Sequence, residues 1–466
     1  MRSFLAILRE SVREAMDAKI IYVLLAFSLL LIIITGSLSF SPVPAEQAFQ
    51  SITDRFGVVF PEKGKSTVPI FTQGSTYKVS DVKDVGEGQY SFRLNVKASA
   101  GDSLKNLIPF IGEKATDGLR VSVANWLRPA GKKRTFNQKN GPGMEVAELQ
   151  EVSLQDQKAV TDDELVAFIR HQYEIHAGFS DVTVRRVTSG VKEPNYVFDV
   201  DVKSGSGVKG WPHGAKIFFG AVNMFNETPL GLVLWIIEDR IVNGFGAGLT
   251  LLIGIIVTGF FIPNMLRKGA LDLLINKPIT RTALLVYKYI GGLSFILFLT
   301  AFTVGGMWLV LAIRTGFWNP TFLYLIPILT FTFAILYAFS TLIAVLTRSA
   351  VAAILLTCGF AFFLYVIGNV KTWLDGVHND PGKKDDVPAW VYTTVDIIHG
   401  GLPRYKDLDR LTTKMLSEST LTPLESFALA GSKADYPDWV PTFGVSLAFI
   451  AVCLGLASWR FVTRDG

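Results

Sequence analysis

Cysteine is nearly missing from this sequence. Cys358 and Cys453 are the two in 466 residues, both inside apolar runs, so no disulfide framework is available to any water-soluble part. Both read as small core residues. Charge is scarce as well: 18% of residues are charged against 50% hydrophobic, and mean hydropathy is +0.37. A soluble chain of this length carries more charge, so the apolar excess must face lipid. The long apolar runs hold no Asp, Glu, Lys, Arg or His in their interiors. Ion- and proton-coupled carriers keep such groups buried for the coupling step, so that class is excluded.

Catalytic and nucleotide motifs are wanting too. Lys63 to Thr67 resembles the end of a phosphate-binding loop, but Val59 stands where the first glycine must turn backbone N–H groups inward. No other Walker-type sequence and no G-x-S-x-G elbow occurs. His171, Glu174 and His176 share one predicted helix without the i, i+4 histidine pair that grips zinc, and are expected on a solvated face. Lys132, Lys133 and Arg134 read as a solvated loop rather than a polyanion site, so no nucleic-acid partner is expected. Asn226 to Thr228 forms a glycosylation sequon, meaningful only in a eukaryotic secretory pathway. With no paired carboxylates, metal ligands or nucleophile–base set beside the apolar runs, no enzymatic activity is expected of the chain. Energy for any transport must come from a partner.

What is present is a series of spans. In residues 1–19, Phe4, Leu8, Val12 and Met16 recur at helical spacing with charges on the other sides, which predicts an amphipathic helix lying along the membrane surface. The uncharged run 20–40 fits a first span (TM1). A cleaved signal sequence is its rival, disfavoured by length and by the lack of a small-x-small site. Residues 41–228 differ, carrying glycines, prolines and, over 41–242, 24 basic and 24 acidic residues. Near-alternating stretches at 90–96, 119–123, 182–187 and 196–202 predict strands. Thr161 to Glu164 forms a capping box that opens a helix over 162–177. A boundary helix is expected at 229–240, then spans at 241–266 (TM2), 289–313 (TM3), 321–347 (TM4), 349–370 (TM5) and 440–459 (TM6), with a polar segment at 371–439 before the last. The predicted fold class is thus an α-helical polytopic membrane protein with six transmembrane helices. A large extracytoplasmic α+β, β-rich domain is inserted between helices 1 and 2.

Six spans put both termini on one side. That side collects 12 basic and 5 acidic residues, net +7, against 33 and 35, net −2, on the other. Lys and Arg in short loops are retained in the cytoplasm, whereas long domains cross largely regardless of charge. Both termini and the loop at 267–283 are therefore expected in the cytoplasm, and both polar segments outside, in a bacterial inner membrane. The loop sets Arg267, Lys268, Lys277 and Arg281 against Asp272, around an apolar ridge of Leu271, Leu273, Leu274 and Ile275. Pro278 stops the short helix and Thr280 is placed to cap the next one. Such a segment has the character of a docking surface.

Those residues carry a resemblance. Gly269, Leu271, Leu274, Pro278, Ile279, Thr280 and Arg281 fit the pattern G-x-L-x-x-L-x-x-x-P-I-[ST]-R, and the chain resembles the membrane-spanning permease subunit of an ABC-2 type ATP-binding cassette transporter. Lys268 stands where family members often have glutamate, and Asp272 replaces a common Glu. Gly401, Leu402, Pro403, Leu408 and Asp409 are similar to the Leu-Pro…Leu-Asp run that many such permeases carry before their last span. The likeness covers about 1–40 and 229–466 and leaves 41–228 unexplained. It implies a pair of permease subunits, each resting its 267–281 helix on a cytoplasmic ABC ATPase subunit that binds the ATP; the chain itself needs no cofactor or metal. Phe302, Trp308, Phe331, Phe333, Phe360, Phe362 and Phe363 either line an apolar pathway or pack the bundle. The alternative function is a non-transporting membrane scaffold whose 41–228 domain binds an envelope partner.

Overall fold

The computed structural model describes residues 20–56, 76–97, 129–135, 145–149, 162–179, 181–187, 195–203, 209–265, 280–378, 387–423, 425–426 and 437–464. The amphipathic segment 1–19, the strand expected at 119–123 and Thr161 of the capping box lie outside them. Helix α1 (Ile20–Gly36) is apolar apart from Ser28 and Thr35 and carries no charge. It stops at Gly36 rather than continuing to 40, because Ser39–Pro42 forms strand β1 of a sheet. At the turn, the hydroxyls of Thr35 and Ser37 donate to the Leu31 and Ile34 carbonyls. The Ser37 bond thereby occupies one of the last-turn acceptors that the helix end leaves open, while Thr35 bonds back one turn within the helix.

The β-rich region follows as α2 (Ala45–Thr53), β2 (Thr76–Gly86), β3 (Gln89–Lys97), β4 (Pro129–Thr135), β5 (Glu145–Leu149), α3 (Asp162–Ala177), β6 (Asp181–Val187), β7 (Asn195–Lys203), β8 (Pro212–Ile217) and β9 (Val222–Pro229). Antiparallel pairing gives a four-stranded sheet in the order β2-β3-β7-β6, a three-stranded sheet β1-β8-β9 and the pair β4-β5. Alternation does what it should: Phe92, Leu94 and Val96 of β3 and Phe198, Val200 and Val202 of β7 point to one buried face, with Leu94 opposite Phe198 in register. Onto that face α2 lays Phe49 and Ile52, and α3 lays Phe168, Ile169 and Tyr173. The Phe49 ring centroid lies 4.3 Å from that of Phe92. Two polar ties fix the helices. Thr53 and Tyr173 share a hydroxyl hydrogen bond of 2.9 Å, and the Gln50 amide donates to the Tyr77 carbonyl while accepting from Val79 N–H. His176 departs from the solvated face expected for it. It is buried against Phe56, whereas His171 and Glu174 on the same helix stay half-exposed and within 4.0 Å of each other.

The helical part begins with α4 (Leu230–Trp235), which runs into a π-helix (Ile236–Gly246) and then α5 (Ala247–Thr258) and α6 (Phe261–Met265). The single run expected at 241–266 is thus divided. Next come α7 (Arg281–Thr315), a 3-10 turn (Pro320–Tyr324), α8 (Leu325–Thr347), α9 (Ala350–His378), α10 (Ala389–Gly401), α11 (Tyr405–Thr420) and α12 (Trp439–Arg464). Among the described residues four helical stretches, Arg281–Thr315, Pro320–Thr347, Ala350–Asp375 and Trp439–Thr463, are long and apolar enough to cross a membrane. Tyr22–Gly36 and Gly254–Pro263 are shorter apolar helices.

Packing stratifies the bundle along its axis. At the end away from the sheets, Ile262, Met265, Leu284, Leu285, Val345, Ala457 and Phe461 form one apolar layer. Mid-bundle, Phe295, Ile296, Phe333 and Tyr337 form another. Toward the sheets, Trp235, Val304, Met307, Phe322, Leu416 and Leu421 form a third, which already includes α11. The segment 371–439 is therefore not simply a polar connection: Leu408, Leu411 and Leu416 drive α11 into the bundle. Of the aromatic residues weighed as a pathway, Phe333 is fully buried beside Tyr337, and Phe360 stacks between Phe339 and Phe449. Phe302, Phe362 and Phe363 are exposed on the outside of the bundle.

Candidate functional site

Of the residues expected to meet an ATPase, Arg267, Lys268, Gly269, Leu271, Asp272, Leu274, Lys277 and Pro278 lie outside the described residues. Thr280 and Arg281 are described, and Thr280 does what its place in the sequence predicts. Its backbone is extended at φ −67° and ψ 148°, and its hydroxyl accepts from Ala283 N–H at 3.2 Å. One of the free donors of the first turn is thereby satisfied, so α7 starts sharply at the end of the loop.

A second constellation sits at the opposite end of the bundle, where the π-helix meets α11. Thr420 donates to Glu238 Oε2 at 2.7 Å, and Thr413 donates to Asp239 Oδ1 at 2.7 Å. The Asn243 amide donates to both Asp239 and Asp409 at 3.3 Å. Lys406 pairs with Asp409, one turn along α11. From the 3-10 turn, the Asn319 amide donates to Ser419 and Thr420, while its carbonyl oxygen caps the turn by accepting from Thr321 N–H. Close approach makes this possible: a Cβ on Gly368 of α9 would overlap the Lys406 stem, so glycine is what lets α11 lie against α9. The two residues Leu408 and Asp409 of the Leu-Asp run thus split their work. Leu408 is buried in the bundle, and Asp409 joins the polar seam.

Removal from water dominates the electrostatics of the seam. Glu238 and Asp239 are each 3% exposed. Burial, opposed by the Thr420 hydrogen bond and reinforced by neighbouring Asp239, pushes the Glu238 carboxyl up to about 8. Burial raises Asp239 as well, against the bonds from Thr413 and Asn243. Near neutral pH the seam therefore holds Glu238 as a neutral carboxylic acid, which suits a structural joint between helices. Among the described residues no group of His, Cys, Asp or Glu is arranged to hold a metal ion. Sequence reasoning missed this cluster; the one available signal was a pair of adjacent acids, Glu238 and Asp239, inside an otherwise apolar stretch.

Four helices long enough to cross a membrane among the described residues, a loop-end cap at Thr280 and a Leu-Asp pair that buries Leu408 in the bundle now stand together. The family model for ABC-2 family transporter proteins matches residues 5–466. The chain belongs to the ABC-2 transporter family. It is a membrane-spanning permease, and membership of the ABC-2 family implies an ATPase subunit as its partner. The match also takes in the β-rich region, which the motif resemblance had left out. No curated protein and no solved structure matches the chain.

Proposed function

We propose that this ABC-2 permease exports a substrate across the cytoplasmic membrane using ATP bound and hydrolysed by a separate cytoplasmic subunit. Six spans, with 20–40 and 241–266 completing the four long ones, put both termini and the 267–283 loop in the cytoplasm and the β-rich region outside. Two permease subunits pair around the pathway. Each presents Arg267, Lys268, Lys277 and Arg281, with the ridge of Leu271 and Leu274 between Gly269 and Pro278, to the ATPase; Asp272 is the lone acid there. Closure of the ATPase dimer pushes this segment, and the rigid start of α7 passes the motion on. The observation that carries the reading is the family match, joined to the Thr280 cap that begins α7 directly after the loop.

Leu274→Asp tests it. The variant should still insert into the membrane but lose the co-purifying ATPase, because an unpaired carboxylate would have to be buried in the contact. Unchanged association would remove the loop from the interface. A second reading, a scaffold that holds an envelope partner, draws on the separate core of the β-rich region. It predicts no ATPase in the purified complex at all.

A further inference from the structure

The turn between β8 and β9 is built against the ordinary preferences of its residues. Phe218 and Phe219 both have positive φ, 54° and 57°, followed by Gly220 at 98°. Two consecutive bulky residues in the left-handed region are rare, and such strain persists only where surrounding structure holds it. Here Ser37, directly after the first helix, holds it: Phe219 N–H donates to the Ser37 carbonyl at 2.8 Å, and Phe218 N–H to the Ser37 hydroxyl at 3.3 Å. The result is that both rings point away from the protein, 57% and 75% exposed. Val222 and Met224 on β9, where the pairing with β8 is interrupted by a bulge, are exposed apolar residues close to the turn.

Position gives this surface its meaning. Ser37 is the first residue past the apolar helix α1, so the turn is tied to the level at which that helix ends. The same level is marked by other residues suited to a membrane boundary. Arg314 donates to the Gly36 carbonyl at 2.7 Å, and Trp318 and Tyr324 are 55% and 60% exposed in the neighbouring connection. Exposed Lys216 stands beside the turn on β8. Aromatic rings with cations just behind them are the composition that favours the headgroup boundary of a bilayer.

We propose that the β8–β9 turn inserts Phe218 and Phe219 into the phospholipid leaflet next to the β-rich region, seating the β1-β8-β9 sheet on the membrane surface. Water would leave the strained, exposed rings without compensation, whereas acyl chains bury them. The seat is a fixed one, since the turn is bonded to Ser37 at the end of the helix that it flanks. This inference rests on reading helix α1 (Ile20–Gly36) as a membrane span.

The test uses the full chain with Cys358→Ala and Cys453→Ala, reconstituted in vesicles of phosphatidylethanolamine and phosphatidylglycerol containing a phosphatidylcholine with a nitroxide high on its acyl chain. An environment-sensitive fluorophore is attached after Phe219→Cys, after Leu30→Cys on the exposed side of α1, and after Arg185→Cys on β6. The expected result is blue-shifted emission and strong nitroxide quenching at 219 and 30, with loss of aqueous iodide quenching at both, and the reverse at 185. Lipid quenching at 30 but iodide quenching at 219 would overturn the proposal while leaving the span in place. Protection of 219 from both quenchers would mean that another protein surface covers the turn, which also overturns it. Iodide quenching at 30 would overturn the span and the proposal together. Phe218→Asn with Phe219→Gly, which relieves the backbone strain, should leave the fold intact, yet a probe introduced by Val222→Cys in that background should lose its lipid quenching; retained quenching there would remove the rings from the anchor.

Discussion

The two ends of the helical bundle are held together by different physics. Away from the sheets, Ile262, Leu284, Leu285, Val345 and Phe461 meet through apolar contact, with Lys288 the buried charge among the described residues there. Beside the sheets, Glu238, Asp239, Asn243, Asn319, Asp409, Thr413 and Thr420 are joined by hydrogen bonds of fixed direction. Apolar burial has no preferred direction, so an apolar layer of conserved volume can repack at modest cost. A buried hydrogen-bond network tolerates little displacement, since each broken pair leaves polar groups without water. The bundle therefore has one yielding end and one clamped end, and the yielding end is the one that adjoins the 267–279 loop.

That contrast can be broken deliberately. The largest effect should come from the apolar end: Leu285→Ala removes a fully buried side chain and should cost about 2–5 kcal/mol in unfolding measured in detergent. Leu285→Met, which keeps the volume, should cost less than about 1.5 kcal/mol. The clamped end should refuse the equivalent courtesy. Thr420→Val and Asn319→Leu keep size but strand their partners, at about 1–3 kcal/mol each, and the double variant should cost less than the two together because both act on one network. If Thr420→Val proved as harmless as Leu285→Met, the distinction between the ends would collapse.

A pH series sharpens the same point. Glu238 holds its proton more tightly folded, to about 8, than at its ordinary 4.5. Its contribution to stability is then complete below about 4.5 and is lost as pH rises toward about 8. Glu238→Gln should flatten the decline in melting temperature over that window; an unchanged slope would place the titration elsewhere. The smallest effect is at the loop. Thr280→Ala removes the cap at about 1 kcal/mol, and amides of the first turn of α7 should exchange faster while the global melting temperature barely moves.

Local patterns made much of this molecule readable from sequence. Alternation located β3, β6 and β7, the capping-box sequence Thr161 to Glu164 located the start of α3, and long apolar runs fell on α7, α8, α9 and α12. Apolar character alone did not separate helix from strand in the 20–40 run, since Leu38 and Phe40 serve a sheet-side cluster as readily as a span. His176 carried a signal that could have been used: it lies one turn beyond Gln172 and Tyr173 on the buried face of α3. The seam left almost none. Glu238 and Thr420 are 182 residues apart, and Asn243 and Asp409 are 166 apart. Hydrogen bonds between such distant residues impose no period on the chain. Of the loop motif, only Thr280 and Arg281 fall among the described residues, and there the cap expected of Thr280 is present.

The length of α7 has a mechanical corollary. From Arg281 to Thr315 it is one hydrogen-bonded helix of 35 residues, about 52 Å from tip to tip. Its far extremity grips α1 through Arg314 at the Gly36 carbonyl, the residue where helix gives way to sheet. A helix anchored at that tip is a lever with its fulcrum at the sheet, so any tilt of α7 would displace Thr280 the most and the start of β1 the least.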